Sequence, residues 1–461
     1  MKQIHILTCT LIFVLLFSSF VFAQETKQRY AIRYNGIEKK QISKTAKVTD
    51  IVYLGLNRTQ NHVVDRERRI NEGDVFDSDK LEESIRNFWN LNLFWKVDTE
   101  VIKKDENSVK VQITFGEKWT LIPLIRFAGT SEVRQLVFGV YDFNTFGAYK
   151  EVGAHYQSLA GSPSYRIWYI DPRFLDKRNL LTVDFNFDRR IRILYPQKAL
   201  GTDFQKPEGG FVLERVRVSP NVLFLVGDDV FIGGGIEFNQ DHLNGQKLPS
   251  RVKIANQENP ISPIHHPDEN DGKTILVRGQ VDLGRLDRRE FIVYGRKTSL
   301  ILEKAVTPLG DFSFERGSLQ FTWFKELANL SNLGFRFVAA QTNAKPHQHL
   351  YFLGALESVR GFLDSQFRDK SYLLSNIEFR IPSLRTSWLV INHEFFIDAV
   401  KTSNSLTKVF NSDSTKIGAN FGAGAMFIIP RIYGVSFRLD YSIPFDSRGN
   451  QAVLFGGDYF F

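Results

Sequence analysis

The chain has 461 residues, and its 59 Lys and Arg against 51 Asp and Glu give a net charge of +8. One cysteine excludes a disulfide framework and a cysteine-based metal site. Phe, Tyr and Trp number 41, 15 and 6 while mean hydropathy is only −0.21, a balance foreign both to a Leu/Ile/Val-cored soluble enzyme and to a bundle of apolar helices.

The opening residues predict export. Lys2 supplies a positive start, residues 6–23 carry no charge, and Val21-Phe22-Ala23 ends on the small residue expected before a cleavage site. Residues 1–23 therefore read as a cleaved signal peptide rather than a spanning helix. Cys9 lies inside that leader, so cleavage would leave a mature chain without a thiol. Export also argues against a nucleic-acid partner for this basic chain. Basic charge facing anionic lipid headgroups, such as outer-membrane lipids, or lining a lumen is the simpler account.

Residues 24–46 are polar and basic and read as a flexible lead-in. A compact pattern follows over 47–117. "KVTDIVYLGLNRT" (47–59) alternates and then turns, and "NHVVDRERRI" (61–70) is helix-like, with Gly73 a natural terminator. Asp79 and Glu82 have capping-box spacing ahead of Leu81, Ile85, Phe88 and Trp89, which fall on one helical stripe. "FWKVDTEVIKK" and "SVKVQITFGEK" read as two strands joined at Asp105-Glu106-Asn107. The order β-α-α-β-β predicts a small α+β domain with two helices on one face of a sheet.

From residue 118 to 461 no helical period persists. About sixteen strand-length segments alternate between apolar and polar residues. In "VSFRLDYSI" (435–443), Val435, Phe437, Leu439, Tyr441 and Ile443 share one face; in "IGANFGAGAMF" (417–427), Ile417, Phe421 and Phe427 do. An even number of alternating strands in an exported, aromatic-rich chain predicts a transmembrane β-barrel, because only helices or closed barrels satisfy the backbone in hydrocarbon. The last strand, "AVLFGGDYFF", must close against the first, near "TLIPLIRFA" (120–128). Pro123 lacks a ladder donor and Gly456-Gly457 weaken the last strand, which marks this seam either as an ordinary strand end or as one able to open sideways. Tyr459 and Phe461 share the outward face of that strand and read as girdle aromatics.

The small domain followed by the barrel, with "VRGF" (359–362) after the eleventh strand candidate, resembles the BamA/TamA superfamily of outer-membrane assembly and translocation proteins. "YDFNTFG" (141–147), "YIDPRF" (169–174) and "SNIEFRIPS" (375–383) stand in the family's order. On that resemblance residues 47–117 form a POTRA domain, and the terminal aromatics Tyr459 and Phe461 look like the signal that directs barrel insertion. The resemblance also implies that the loop bearing Arg360, Gly361 and Phe362 folds into the barrel, where the arginine meets acids at Glu378 and Asp398. The family's glycine shortly after that second acid is replaced here by Ala399-Val400. Alternation independently points Glu378, Arg380, Glu394 and Asp398 inward. Gly361 would allow the sharp turn and Arg360 would offer carboxylates a fork of donors.

No nucleotide loop or serine elbow occurs, and His265-His266 and His347/His349 fall in polar, Pro-containing loops read as exposed and not as metal ligands. No enzyme activity, cofactor or metal is expected. The resemblance implies a protein of the bacterial outer membrane, its POTRA domain in the periplasm. It would assist insertion or translocation of unfolded outer-membrane or secreted clients, with accessory lipoproteins as possible partners. A passive channel or surface-binding protein, or a secretion pore for one exported partner, are the alternatives.

Overall fold

The computed structural model describes residues 32–35, 42, 45–129, 134–159, 161–195, 209–244, 271–354, 358–363, 365–409, 416–432, 436–445, 449 and 451–457. The leader, His265, His266, Tyr459 and Phe461 lie outside the described residues. The chain divides into two compact units, one drawn from residues 1–52, 69–86 and 98–113, the other from 53–68, 87–97 and 114–461.

The N-terminal elements are β1 (Ile32–Asn35), β2 (Lys47–Leu54), α1 (Asn61–Asp65), α2 (Ser78–Asn90), β3 (Phe94–Lys103) and β4 (Ser108–Glu117). Their sheet has the order β1-β3-β4-β2. The stripe on α2 forms because Leu81, Ile85 and Phe88 recur at helical spacing, and all three are buried. Phe88 and Phe94 pack on Phe115 of β4, with ring centroids 5.4 and 4.4 Å away.

Two sequence expectations are corrected here. Residues 32–35, read as part of a flexible lead-in, form a strand parallel to β3, with Ile32 opposite Thr99 and Asn35 opposite Ile102. Four residues are too few to show alternation, so the strand is specified by its neighbour. The cap of α2 is Asp77, not Asp79: its Oδ1 accepts from the backbone N of Asp79 at 2.8 Å and of Lys80 at 3.3 Å.

The second sheet begins with β5 (Leu121–Gly129), β6 (Arg134–Asp142), β7 (Glu151–Leu159), β8 (Ser162–Phe174), β9 (Asn179–Leu194), β10 (Gly209–Leu225), β11 (Val230–Asn244) and β12 (Gly272–Arg289). Next come β13 (Ile292–Ala305), β14 (Glu315–Glu326) and β15 (Asn332–Thr342), then the short β16 (Tyr351–Leu353) and β17 (Phe367–Asp369), which pair only with each other. It ends with β18 (Ser371–Arg385), β19 (Val390–Ser403), β20 (Lys416–Ile428), β21 (Ser436–Pro444) and β22 (Ala452–Gly457). Sixteen strands make one antiparallel meander running from β22 through β18 and β15 to β5. The terminal strands β22 and β5 come together at its two ends. This is a transmembrane β-barrel preceded by one small α+β domain.

Alternation fixes which face is which. On β21, Phe437, Leu439 and Tyr441 are exposed while Ser436, Arg438, Asp440 and Ser442 are buried. On β19, Phe395 and Ile397 are exposed while Glu394 and Asp398 are buried. A water-soluble sheet would show the reverse; here the apolar face is outermost and the polar face is enclosed. Among the described residues no helix is long and apolar enough to cross a membrane.

Replacing the cap by Asp77→Ala should cost about 0.5–2 kcal/mol locally. Hydrogen exchange on the intact protein would show faster exchange at the Asp79 and Lys80 amides, whereas Asp79→Ala should leave both protected.

Candidate functional site

The inner wall made by β15, β18, β19, β20 and β21 presents four acids, Glu378, Glu394, Asp398 and Asp440, and three arginines, Arg336, Arg380 and Arg438. A fourth arginine, Arg360, arrives from the segment between β16 and β17. Arg360 is fully buried. Its Nε and Nη2 donate to the two carboxylate oxygens of Asp398 at 2.7 and 2.9 Å, and its backbone N donates to Oδ2 at 3.2 Å. Nη1 reaches Asp440 Oδ2 at 3.4 Å. The guanidinium carbon stands 3.4 Å from the ring centroid of Phe396. Bidentate pairing with a planar face covered is a geometry that arginine can supply and lysine cannot.

The same residues are held from behind. Asn376 Nδ2 donates to Asp398 Oδ1 at 2.8 Å and to the carbonyl of Ser358 at 3.0 Å, while Arg336 Nε donates to Asn376 Oδ1 at 2.9 Å. Arg438 Nε lies 2.7 Å from Asp440 Oδ2, and Asn420 Nδ2 donates to the carbonyl of Arg360. Gly361 has φ +78°, the left-handed turn that redirects the chain immediately after the arginine. Phe362 and Phe367 then meet edge to face, 5.0 Å between centroids, in a cluster with Val338, Val359, Leu374 and Val400. A Cβ on Gly418 would stand 2.2 Å from the Phe367 ring, so β20 is glycine where the plug presses on it.

The structure redistributes the predicted partners. Asp398 receives Arg360 directly, whereas Glu378 hydrogen-bonds to Arg380 at 3.1 Å, with Glu394 3.7 Å from the same arginine. Asp440, not among the partners expected for Arg360, is the second carboxylate on it. Of the seam residues, Pro123 is outward on β5 opposite Val140, Gly456 lies opposite Arg438, and Gly457 lies opposite Phe437.

The plug is also held elsewhere on the wall. Leu363 joins the cluster of Ile191, Ile193, Tyr195 and Val212, and Arg192 lies 4.6 Å from the Phe352 ring centroid. His349, expected on an exposed loop, is buried between Phe312 and Phe314, with ring centroids 5.1 and 4.6 Å away. Its neighbour Asp241 is engaged by both arms of Arg215 at 2.6 Å. Burial, with Arg215 and Arg316 nearby, pushes the His349 imidazole down to about 2, so it is neutral. Among the described residues no group of acids, histidines or cysteines is arranged to hold a metal ion.

A second interior contact lies at the end of the barrel where the connections are short. Phe291 and Ile292 pack with Val390, Met426 and Ile428, all buried. β13 is separated from β19 by three strands of the sheet, so these side chains meet across the interior. Arg385 Nη2 ties this turn by donating to both oxygens of Glu290, at 2.9 and 2.7 Å.

With this geometry established, the chain was compared with known proteins. Residues 144–456 match the model of the Omp85 superfamily domain, and residues 46–118 match the POTRA model described as a surface antigen variable number repeat. A curated relative, the putative outer membrane protein assembly factor of Treponema pallidum (strain Nichols), is 24% identical over 159 residues, which span 33% of this chain and 19% of that protein. Among solved structures, BamA from Haemophilus ducreyi lacking POTRA domains 1–3 aligns with TM-score 0.53 at 15% identity, covering 90% of this chain and 84% of that one. CdiB from Escherichia coli aligns with TM-score 0.60 at 11% identity, covering 90% and 77%. CdiB from Acinetobacter baumannii aligns with TM-score 0.52 at 11% identity, covering 89% and 73%. At these identities the likeness to solved structures is one of fold.

Removing one partner of a buried pair typically costs about 3–5 kcal/mol. Arg360→Ala and Asp398→Asn should therefore free residues 343–371 to protease while the barrel stays folded by gel mobility. Arg360→Lys should fall between, and unchanged protease sensitivity in all three would refute the lock. His349 supplies a pH test. Its folded pKa lies below the unfolded value near 6.5, so the unfolded state binds the extra proton and stability falls as pH drops below about 6.5. Exchange protection of residues 347–353, corrected for intrinsic rate, should decline between pH 7 and 5, and less so in His349→Phe.

Proposed function

We propose, from the premise that this chain belongs to the Omp85 superfamily, that it assists insertion or translocation of client proteins at the outer membrane. Its POTRA domain faces the periplasm, and the protein works without a catalytic site or cofactor of its own. The observation that carries this reading is an occupied lumen: among the described residues the Arg360 network crosses it at one level and the Phe291 cluster at another, contacts for which a wide passive channel has no use. A barrel with an occupied interior can still act on a polypeptide at its lateral edge. That edge lies where β5 and β22 meet: Pro123 removes one ladder donor from β5, and Gly456-Gly457 weaken β22. Unfolded clients, offered backbone pairing by the POTRA sheet or by the barrel edge, would bind without strict sequence preference.

Depleting the protein and comparing outer-membrane proteomes tests the reading directly. Loss of several barrel or surface proteins is expected; an unchanged proteome would overturn it. Disulfides screened between Leu124 or Ile125 of β5 and Val453 or Leu454 of β22, each pair changed to cysteine, should block activity until reduced. Planar-bilayer recordings test the occupied interior. The wild type and each of Arg360→Ala and Phe291→Ala should be silent or nearly so, and the double variant should conduct. Steady conductance by the wild type would favour a passive channel.

A further inference from the structure

Arg431 lies in the turn between β20 and β21, four residues beyond the outward-facing Phe427. Its guanidinium carbon is 4.2 Å from the centroid of the Trp388 ring and 4.7 Å from that of Trp95. Stacking occupies the planar surface of a guanidinium and leaves its in-plane N–H fork for an acceptor. Arg380 and Arg385 on β18 and Arg438 on β21 each meet a carboxylate. Arg431 does not: among the described residues no carboxylate stands in ion-pair range of it, and its buried Nε lacks a hydrogen-bond partner.

The surroundings select the kind of anion. Trp388 is 59% exposed and Trp119 is 64% exposed, large areas for a residue that ordinarily hides most of its ring. Trp119 is fixed beside Arg431, its backbone N donating to the Arg431 carbonyl at 3.0 Å in a bridge that pairs Trp119 with Ile432. Just above, Phe427, Phe437 and Leu384 are exposed on the outward face and mark the lower part of the apolar band. At about 3.3 Å per extended residue, Arg431 stands at most ~13 Å past Phe427, at the depth of headgroups rather than of hydrocarbon. Indoles favour that same boundary, where one side is apolar and the other wet. A free aqueous anion would use the guanidinium but leave the indoles bare, and an apolar ligand would do the converse. An amphiphile with a phosphate uses both.

We propose that Arg431, Trp388 and Trp119 form a headgroup site that takes the phosphodiester of an anionic phospholipid at the short-turn rim of the barrel. The site rests on the reading of this sheet as membrane-embedded, but it does not depend on any client. Because Trp119 leads directly into β5, the bound lipid would stand at the foot of one of the two strands that meet at the barrel edge.

The test uses the full chain purified in a maltoside detergent, which carries no phosphate. Dioctanoyl phosphatidylglycerol is titrated while indole fluorescence is followed, and lipid retention is counted by native mass spectrometry. Arg431→Gln should weaken binding about tenfold, the loss expected for one charge-assisted hydrogen-bonded contact. Arg431→Lys should lose less and Trp388→Leu a comparable amount, all with wild-type heat-modifiable gel mobility. Dioctanoylglycerol, without the phosphate, should bind no better to the wild type than to Arg431→Gln. Equal affinity of wild type and Arg431→Gln for the phospholipid would overturn the proposal, as would inorganic phosphate binding as tightly as the lipid. A depletion strain without client defects would count against the assembly reading and leave this result untouched.

Discussion

A guanidinium removed wholly from water is the constraint around which the barrel interior is arranged. Stripping Arg360 of its hydration costs several kcal/mol, and the cost is recovered only where carboxylates stand ready in the right geometry. Asp398 and Asp440 provide that on neighbouring inner faces, two strands apart in the meander. Their own desolvation is offset by Asn376 and Arg438. The requirement propagates outward. A shift of β19 or β21 by one residue would move its acid to the lipid face and leave Arg360 unpaired, so the plug and the strand register specify each other.

How much of this was legible in the sequence follows from the range of each interaction. The inward direction of Glu378, Glu394 and Asp398 is a matter of parity along a strand, and parity is local. Which acid meets Arg360 depends on height along the barrel axis, which strand stagger sets and parity does not encode. Glu378 goes to Arg380 because the two are i and i+2 on one strand and share its inner face. Asp440 lies eighty residues from Arg360 and is brought to it by closure of the sheet alone. The pattern "SFRLDYS" marked it as inward-facing, a signal that could have placed it among the candidates. The Ala399-Val400 departure from the family pattern left Asp398 unaffected, since the pairing uses the carboxylate and not the residue after it.

The misplaced elements share a different cause. At the start of α2, Asp77, Ser78 and Asp79 all have capping side chains. The choice among them is settled by where the preceding backbone leaves the helix, and Asp77 takes it. His349 lies in a Pro- and Asn-containing stretch that reads as solvent-exposed loop, yet a segment that folds into a lumen buries its polar residues against a polar wall. Ordinary surface logic fails for such a segment. β1 carries no signal of its own and exists because β3 offers it an edge.

The two contacts that cross the interior differ in strength. The Arg360 network is electrostatic and buried: withdrawing the arginine takes from Asp398 its bidentate partner and leaves it Asn376, while Asp440 keeps Arg438. The Phe291 cluster is apolar, and its Glu290–Arg385 tie is partly exposed and correspondingly weak. Opening the short-turn end therefore asks for less than ejecting the plug. A polypeptide arriving from that end would meet the weaker of the two contacts first, with the Arg360 network still seated against β19 and β21.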